Sequence, residues 1–80
     1  MQVGCGFRIM VVKNREYVYF WHYEAHGGRS RQVYRYMGAK RSSRTARRLS
    51  EAMDSYYAKA IDELRQDLTS ARGAIASLRG

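Results

Sequence analysis

Arginine and aromatic side chains are the residues of this chain best equipped for chemistry. Arginine outnumbers lysine by 12 to 3, and its planar fork of donors suits phosphates and guanine edges better than an ammonium does. The stretch YVYFWHYEAHGGRSRQVYRYMG, residues 17–38, places Tyr17, Tyr19, Trp21 and Tyr23 at alternate positions and follows them with Arg29, Arg31 and Arg35. Rings can stack on bases or enter a groove while guanidinium groups pair with phosphates. A second basic run, AKRSSRTARR at residues 39–48, adds Lys40, Arg41, Arg44, Arg47 and Arg48, and Arg8 lies upstream.

Residue types that perform covalent or acid–base chemistry are sparse. Cys5 and His22 make a conceivable nucleophile pair, but the sequence supplies nothing to orient it. Gly4-Cys5-Gly6 is too short for a phosphate-cradling loop. Asp54, Asp62, Glu63 and Asp67 stand among basic residues in a helical pattern, where ordinary ion pairs explain them. One cysteine and two histidines exclude an intrachain disulfide and fall short of a structural zinc site. The sequence therefore predicts no enzyme, no cofactor and no metal.

The charge is unevenly spread. Residues 1–50 hold 11 Lys/Arg against 2 Glu, a net of +9; residues 51–80 hold 4 against 5 Asp/Glu, a net of −1; together they give the chain's +8. A basic half joined to a balanced half suggests that one part meets a polyanion and the other meets protein. No apolar run reaches the length of about 18 residues needed to span a membrane, and no basic leader precedes MQVGCGFRIMVV. The expectation is a soluble intracellular protein of the cytoplasm or nucleoid.

The elements that must position these residues follow from pattern. Residues 1–6 read as a loose lead-in. Phe7–Val12 is apolar and β-branched enough for a strand. Lys13 to Glu16 makes a turn, with Asn14 suited to a left-handed conformation. Tyr17–Glu24 is a second strand, Ala25 to Gly28 a glycine-containing turn, and Ser30–Met37 a third strand ended by Gly38. Strand parity puts Val18 and Phe20 on one face. A loop pairing Glu24 with Ser30 sets Tyr34 and Tyr36 beside them and leaves the Tyr/Trp row beside Arg31, Val33, Arg35 and Met37. A loop pairing Glu24 with Arg29 sets the row beside Tyr34 and Tyr36 instead. The Val18/Phe20 face is taken as the buried one because the other, in the first register, carries more arginine.

From Thr45 the periodicity becomes helical. Ser42, Ser43 or Thr45 could cap the start. Ala46, Leu49, Met53, Tyr56 and Ala60 form one apolar series; Ile61, Leu64, Leu68, Ala71, Ile75 and Leu78 continue it displaced by one residue, like a stutter. Met53, Leu64 and Ile75 are spaced by eleven, so the seam need not supercoil to the left. A helix of this length outruns a three-stranded sheet, so it breaks near residues 69–73, curls back on its own sheet or pairs with a second chain, and the lack of glycine or proline between residues 45 and 72 favours pairing.

The order strand–strand–strand–helix, with WHYE, then GGRSRQVYRYMG, then a basic Ser/Thr segment entering a helix, resembles the DNA-binding domain of Apetala-type plant factors and the N-terminal arm of tyrosine recombinases. GGRSRQVYRYMGAKR also looks like hairpins of small archaeal and mobile-element proteins. The resemblance covers residues 7–60. It implies a sheet that enters the major groove with a helix behind it, and Tyr19, Trp21, Arg31, Val33 and Arg35 approaching DNA. The long helix departs from the recombinase pattern and favours a free-standing DNA binder.

The reading is an α+β single domain over residues 1–80: an antiparallel β-meander at 7–38, a basic connector at 39–44 and a helix at 45–79. It binds double-stranded DNA through Arg8, Tyr19, Trp21, Arg29, Arg31, Arg35, Lys40, Arg41, Arg44, Arg47 and Arg48. It dimerises through Met53, Tyr56, Ala60, Ile61, Leu64, Leu68, Ile75 and Leu78. An RNA-binding accessory protein and a protein-interaction module are the alternatives.

Overall fold

A computed structural model describes residues 3–78. The chain forms β1 (Cys5–Val12), β2 (Arg15–His26), β3 (Arg29–Ala39) and α1 (Ser43–Ala76). The strands make an antiparallel sheet in the order β1-β2-β3, and the helix follows. The α+β meander-plus-helix architecture is therefore observed.

Two tight turns set the register. Lys13 and Asn14 take φ of 50° and 63°, Gly27 and Gly28 take 59° and 81°. Two consecutive positive φ values match the twist of two-residue hairpins, and Asn14 adopts the expected conformation. The second turn is shorter than the sequence suggested. Ala25 pairs with Ser30 and His26 with Arg29, so Glu24 lies opposite Arg31 rather than Ser30 or Arg29. All three strands are also longer than expected. Residues 4–6 are no loose lead-in: the Tyr23 amide donates to the Gly4 carbonyl at 3.2 Å, and the Gly4 amide donates to the Tyr56 hydroxyl at 3.0 Å.

A bulge near the end of β3 governs what is buried. Val18 pairs with Gly38 but Tyr19 pairs with Tyr36, leaving Met37 as the extra residue. An extra residue shifts the alternation of the bulged strand. Met37 thereby joins Val18 and Phe20 in the buried core, against which Cys5, Leu49, Ala52, Met53 and Tyr56 pack. Val18 and Phe20 face inward as expected, and α1 covers that side of the sheet.

The helix is continuous from Ser43 to Ala76, without the break considered near residues 69–73; the Thr69 hydroxyl donates to the Arg65 carbonyl at 3.0 Å within the helix. Position 79 lies outside the described residues. Ser42 is the N-cap, yet its side chain makes no capping bond. The displaced apolar pattern is a change of partner. Leu49, Met53 and Tyr56 are half-buried and Ala60 is buried, whereas Ile61, Leu64, Leu68, Ile75 and Leu78 are all at least 49% exposed. A one-residue step rotates a helix position by about 100°, which turns the stripe off the sheet where the sheet ends. The eleven-residue spacing thus links residues with different neighbours: Met53 packs on its own sheet, while Leu64 and Ile75 do not. The helix beyond Glu63 projects past the sheet, and the molecule measures 67 × 25 × 12 Å.

Candidate nucleic-acid interface

The Gly27–Gly28 turn decides where the arginines go. Cross-strand partners share a face, and Phe20 lies opposite Arg35, His22 opposite Val33 and Glu24 opposite Arg31. Arg31, Val33 and Arg35 therefore stand on the helix side of β3, and the expectation that they flank the Tyr/Trp row is overturned. Tyr36 and Tyr34 stand beside the row instead, opposite Tyr19 and Trp21.

The sheet face away from α1 consequently gathers Tyr17, Tyr19, Trp21, Tyr23, Tyr34 and Tyr36, with Arg8 opposite Tyr19. Tyr34 and Tyr36 are 42% and 53% exposed. The rings brace one another: Tyr19 and Tyr36 meet edge to face at 5.5 Å, and Trp21 and Tyr23 at 5.6 Å. Trp21 also lies over Gly6, where a Cβ would come within 2.8 Å of the indole. The sequence pattern underrated Tyr34 and Tyr36 because their face depends on turn length.

A basic pole forms at the other end of β2. The β1–β2 turn and the β3–α1 connector come together there through a hydrogen bond from the Lys40 amide to the Glu16 carbonyl, 3.0 Å. Lys13 and Arg15 thereby join Lys40, Arg41 and Arg44, all exposed. Lys13 and Arg15 had looked like turn residues only; no local pattern links them to a segment 25 residues on. Glu16 is the acid within this pole, and Lys40 pairs with it at 3.2 Å, the one salt bridge among the described residues. The start of α1 adds amide donors: no acidic residue occupies its first turn, and such a terminus favours anions. Arg47 is exposed on the next turn, and Arg48 donates to the Met37 carbonyl at 3.5 Å.

Between β3 and α1 runs an open groove of mixed charge. Arg29, Arg35, Arg48 and Lys59 line it together with Glu24, Glu51 and Glu63. Arg31 is exposed on the same side of the strand. The arginines expected to bind nucleic acid thus divide between this flank and the pole, with Arg8 on the aromatic face.

Cys5 and His22 lie directly opposite each other on the helix side, so the fold does set them side by side. His22, however, stacks on Phe20 at 5.5 Å and approaches Tyr56 at 5.5 Å, the surroundings of a packing residue. The neighbouring Cys5 side chain, through hydrogen bonding before charge, pushes the Tyr57 hydroxyl above its ordinary pKa. Among the described residues no three His, Cys, Asp or Glu side chains cluster as metal ligands, and no helix is long and apolar enough to cross a membrane.

The residues expected at a dimer seam also divide. Met53, Tyr56 and Ala60 serve the chain's own interior, and Ile61, Leu64, Leu68, Ile75 and Leu78 remain uncovered. In comparisons with known proteins no family model matches the chain, and neither the curated proteins nor the solved structures contain a match.

Proposed function

We propose that this protein binds double-stranded DNA as a homodimer, gripping the phosphate backbone with its basic pole and the arginines of β3, in the manner of a small regulator, architectural protein or mobile-element factor. The observation that carries the reading is the convergence of Lys13, Arg15, Lys40, Arg41 and Arg44 around the start of α1, with Glu16 as the one acid among them. Among the described residues Lys40 alone of these cations has a carboxylate partner, and the others keep their charge available to a polyanion. Contacts of this kind release counterions, so affinity falls linearly on a log–log plot against salt.

The test is a binding titration with duplex DNA over a salt series. Arg41→Ala and Arg44→Ala should each weaken binding across all sequences and reduce the salt slope by about 1. Wild-type affinity and slope in both variants would overturn the basic pole as the site.

A second reading takes single-stranded DNA or RNA as the ligand. The six rings on the uncovered sheet face favour it, since base–aromatic stacking is worth about 1–3 kcal/mol per base. Competition between a duplex, its separated strand and a structured RNA at fixed salt separates the two. Tyr34→Ala, at an exposed position, should weaken the strand and spare the duplex if the second reading holds.

A further inference from the structure

Beyond the sheet, the apolar residues of α1 recur by sevens. Ile61, Leu68 and Ile75 form one series; Tyr57, Leu64 and Ala71 form the other, and Leu78 keeps its spacing in the turn that follows the helix. These are the a and d positions of successive heptads. Isoleucine at a (Ile61, Ile75) with leucine at d (Leu64) is the combination that favours two strands, and seven-residue spacing calls for a left-handed supercoil. Gly73 falls at f, pointing away from the seam.

The flanks say which way the second strand runs. Arg65 and Arg72 occupy e positions and Asp67 a g position. None of the three has an ion-pair partner among the described residues. In a parallel pair each g side chain faces the e side chain of the partner's following heptad, which sets Asp67 beside Arg72 of the partner subunit, twice by symmetry. In an antiparallel pair e faces e, which sets Arg65 against Arg72 of the partner subunit. Opposite charges meet in the first arrangement and like charges in the second, and e/g charges are what select orientation in such seams.

We infer that two copies of this chain pair as a parallel, left-handed coiled coil through Tyr57–Ile75, with Leu78 just past its last turn. The coil begins at Tyr57 because the preceding a and d positions are Asp54 and Ser50. The occupant of the stripe is a second copy because the charge pattern complements itself. A parallel pair sends both basic poles the same way from the coil, so that both can meet one duplex. The inference rests on the homodimer in the preceding reading and on no property of its nucleic-acid site.

Sedimentation equilibrium of the full chain without nucleic acid should give a dimer, and Leu64→Arg a monomer with the sheet's circular dichroism retained. Orientation is read in a Cys5→Ser background. Leu78→Cys should oxidise to a covalent dimer in a glutathione buffer. A mixture of Ile61→Cys and Leu78→Cys chains should not cross-link to each other, since those positions lie roughly 25 Å apart along a parallel coil. Asp67→Arg should weaken the dimer about threefold to tenfold, and Asp67→Arg with Arg72→Asp should restore it. A monomeric wild type overturns the homodimer and the coil together. A dimer that links position 61 to 78 but not 78 to 78 overturns the parallel arrangement alone. A coil that forms while duplex binding is absent overturns only the nucleic-acid reading.

Discussion

At Gly38 the backbone takes φ of 139°, and the place a Cβ would fill is held by the side chain of Thr45. Thr45 is itself 4% exposed, so it has nowhere to move. Gly38→Ala should therefore cost about 1–3 kcal/mol, combining a disallowed conformation with a clash, visible as a lowered thermal midpoint. Tyr56→Phe is a milder probe. It removes the acceptor of the Gly4 amide and should cost about 1 kcal/mol, with faster hydrogen exchange at Gly4. Neither role was legible in the sequence, because each depends on how the helix docks. Arg31 and Arg35 make the same point. Their types signalled phosphate, but their face followed from pairing His26 with Arg29, and a loop one residue longer would have put them among the rings.

The elements themselves were easier to read. Period-two alternation and β-rich composition marked the three strands, and the 3.6 periodicity marked the helix, because each reflects burial on one side. Ends and registers were less legible. The strands extend into both turns since Arg15, Ala25 and His26 still find backbone partners. The bulge at Met37 has no propensity signature, because only the packing against Val18 and Phe20 fixes it. In α1 the one-residue displacement was visible, but its meaning was not: the first series faces the sheet from Leu49 to Ala60, with Ala46 exposed, and the second faces outward. Gly73 lies in the projecting part, where an added Cβ meets nothing within 4 Å. Gly73→Ala should stabilise the helix by about 1 kcal/mol, read as a raised melting temperature in circular dichroism. An unchanged or lowered value would mean that the backbone there departs from a plain exposed helix.

On the scale of the whole molecule, the split of +9 against −1 becomes a separation in space, with cations at the sheet and helix start and an apolar stripe on the far part of the helix. Charge segregation was legible because it needs only counting; the joining of Lys13 and Arg15 to the connector was not, because it needs the meander. The two margins of the sheet are unlike as well. β3 is an edge strand that carries arginines and is bent by the bulge in its pairing with β2, features that deter another strand from adding on. β1 has neither a bulge nor a charge beyond Arg8, and Phe7, Ile9, Val11 and Val12 are 53%, 40%, 67% and 49% exposed. FRIMVV combines high β propensity with little charge and no proline, the signature of a segment that stacks into cross-β. Val11→Lys should accordingly lower light scattering on prolonged incubation while leaving the unfolding free energy within about 0.5 kcal/mol of wild type. The molecule's colloidal weakness is thus confined to one side: self-association that starts at β1 can add a single neighbour edge to edge, and the arginine-bearing margin stops the sheet from growing further.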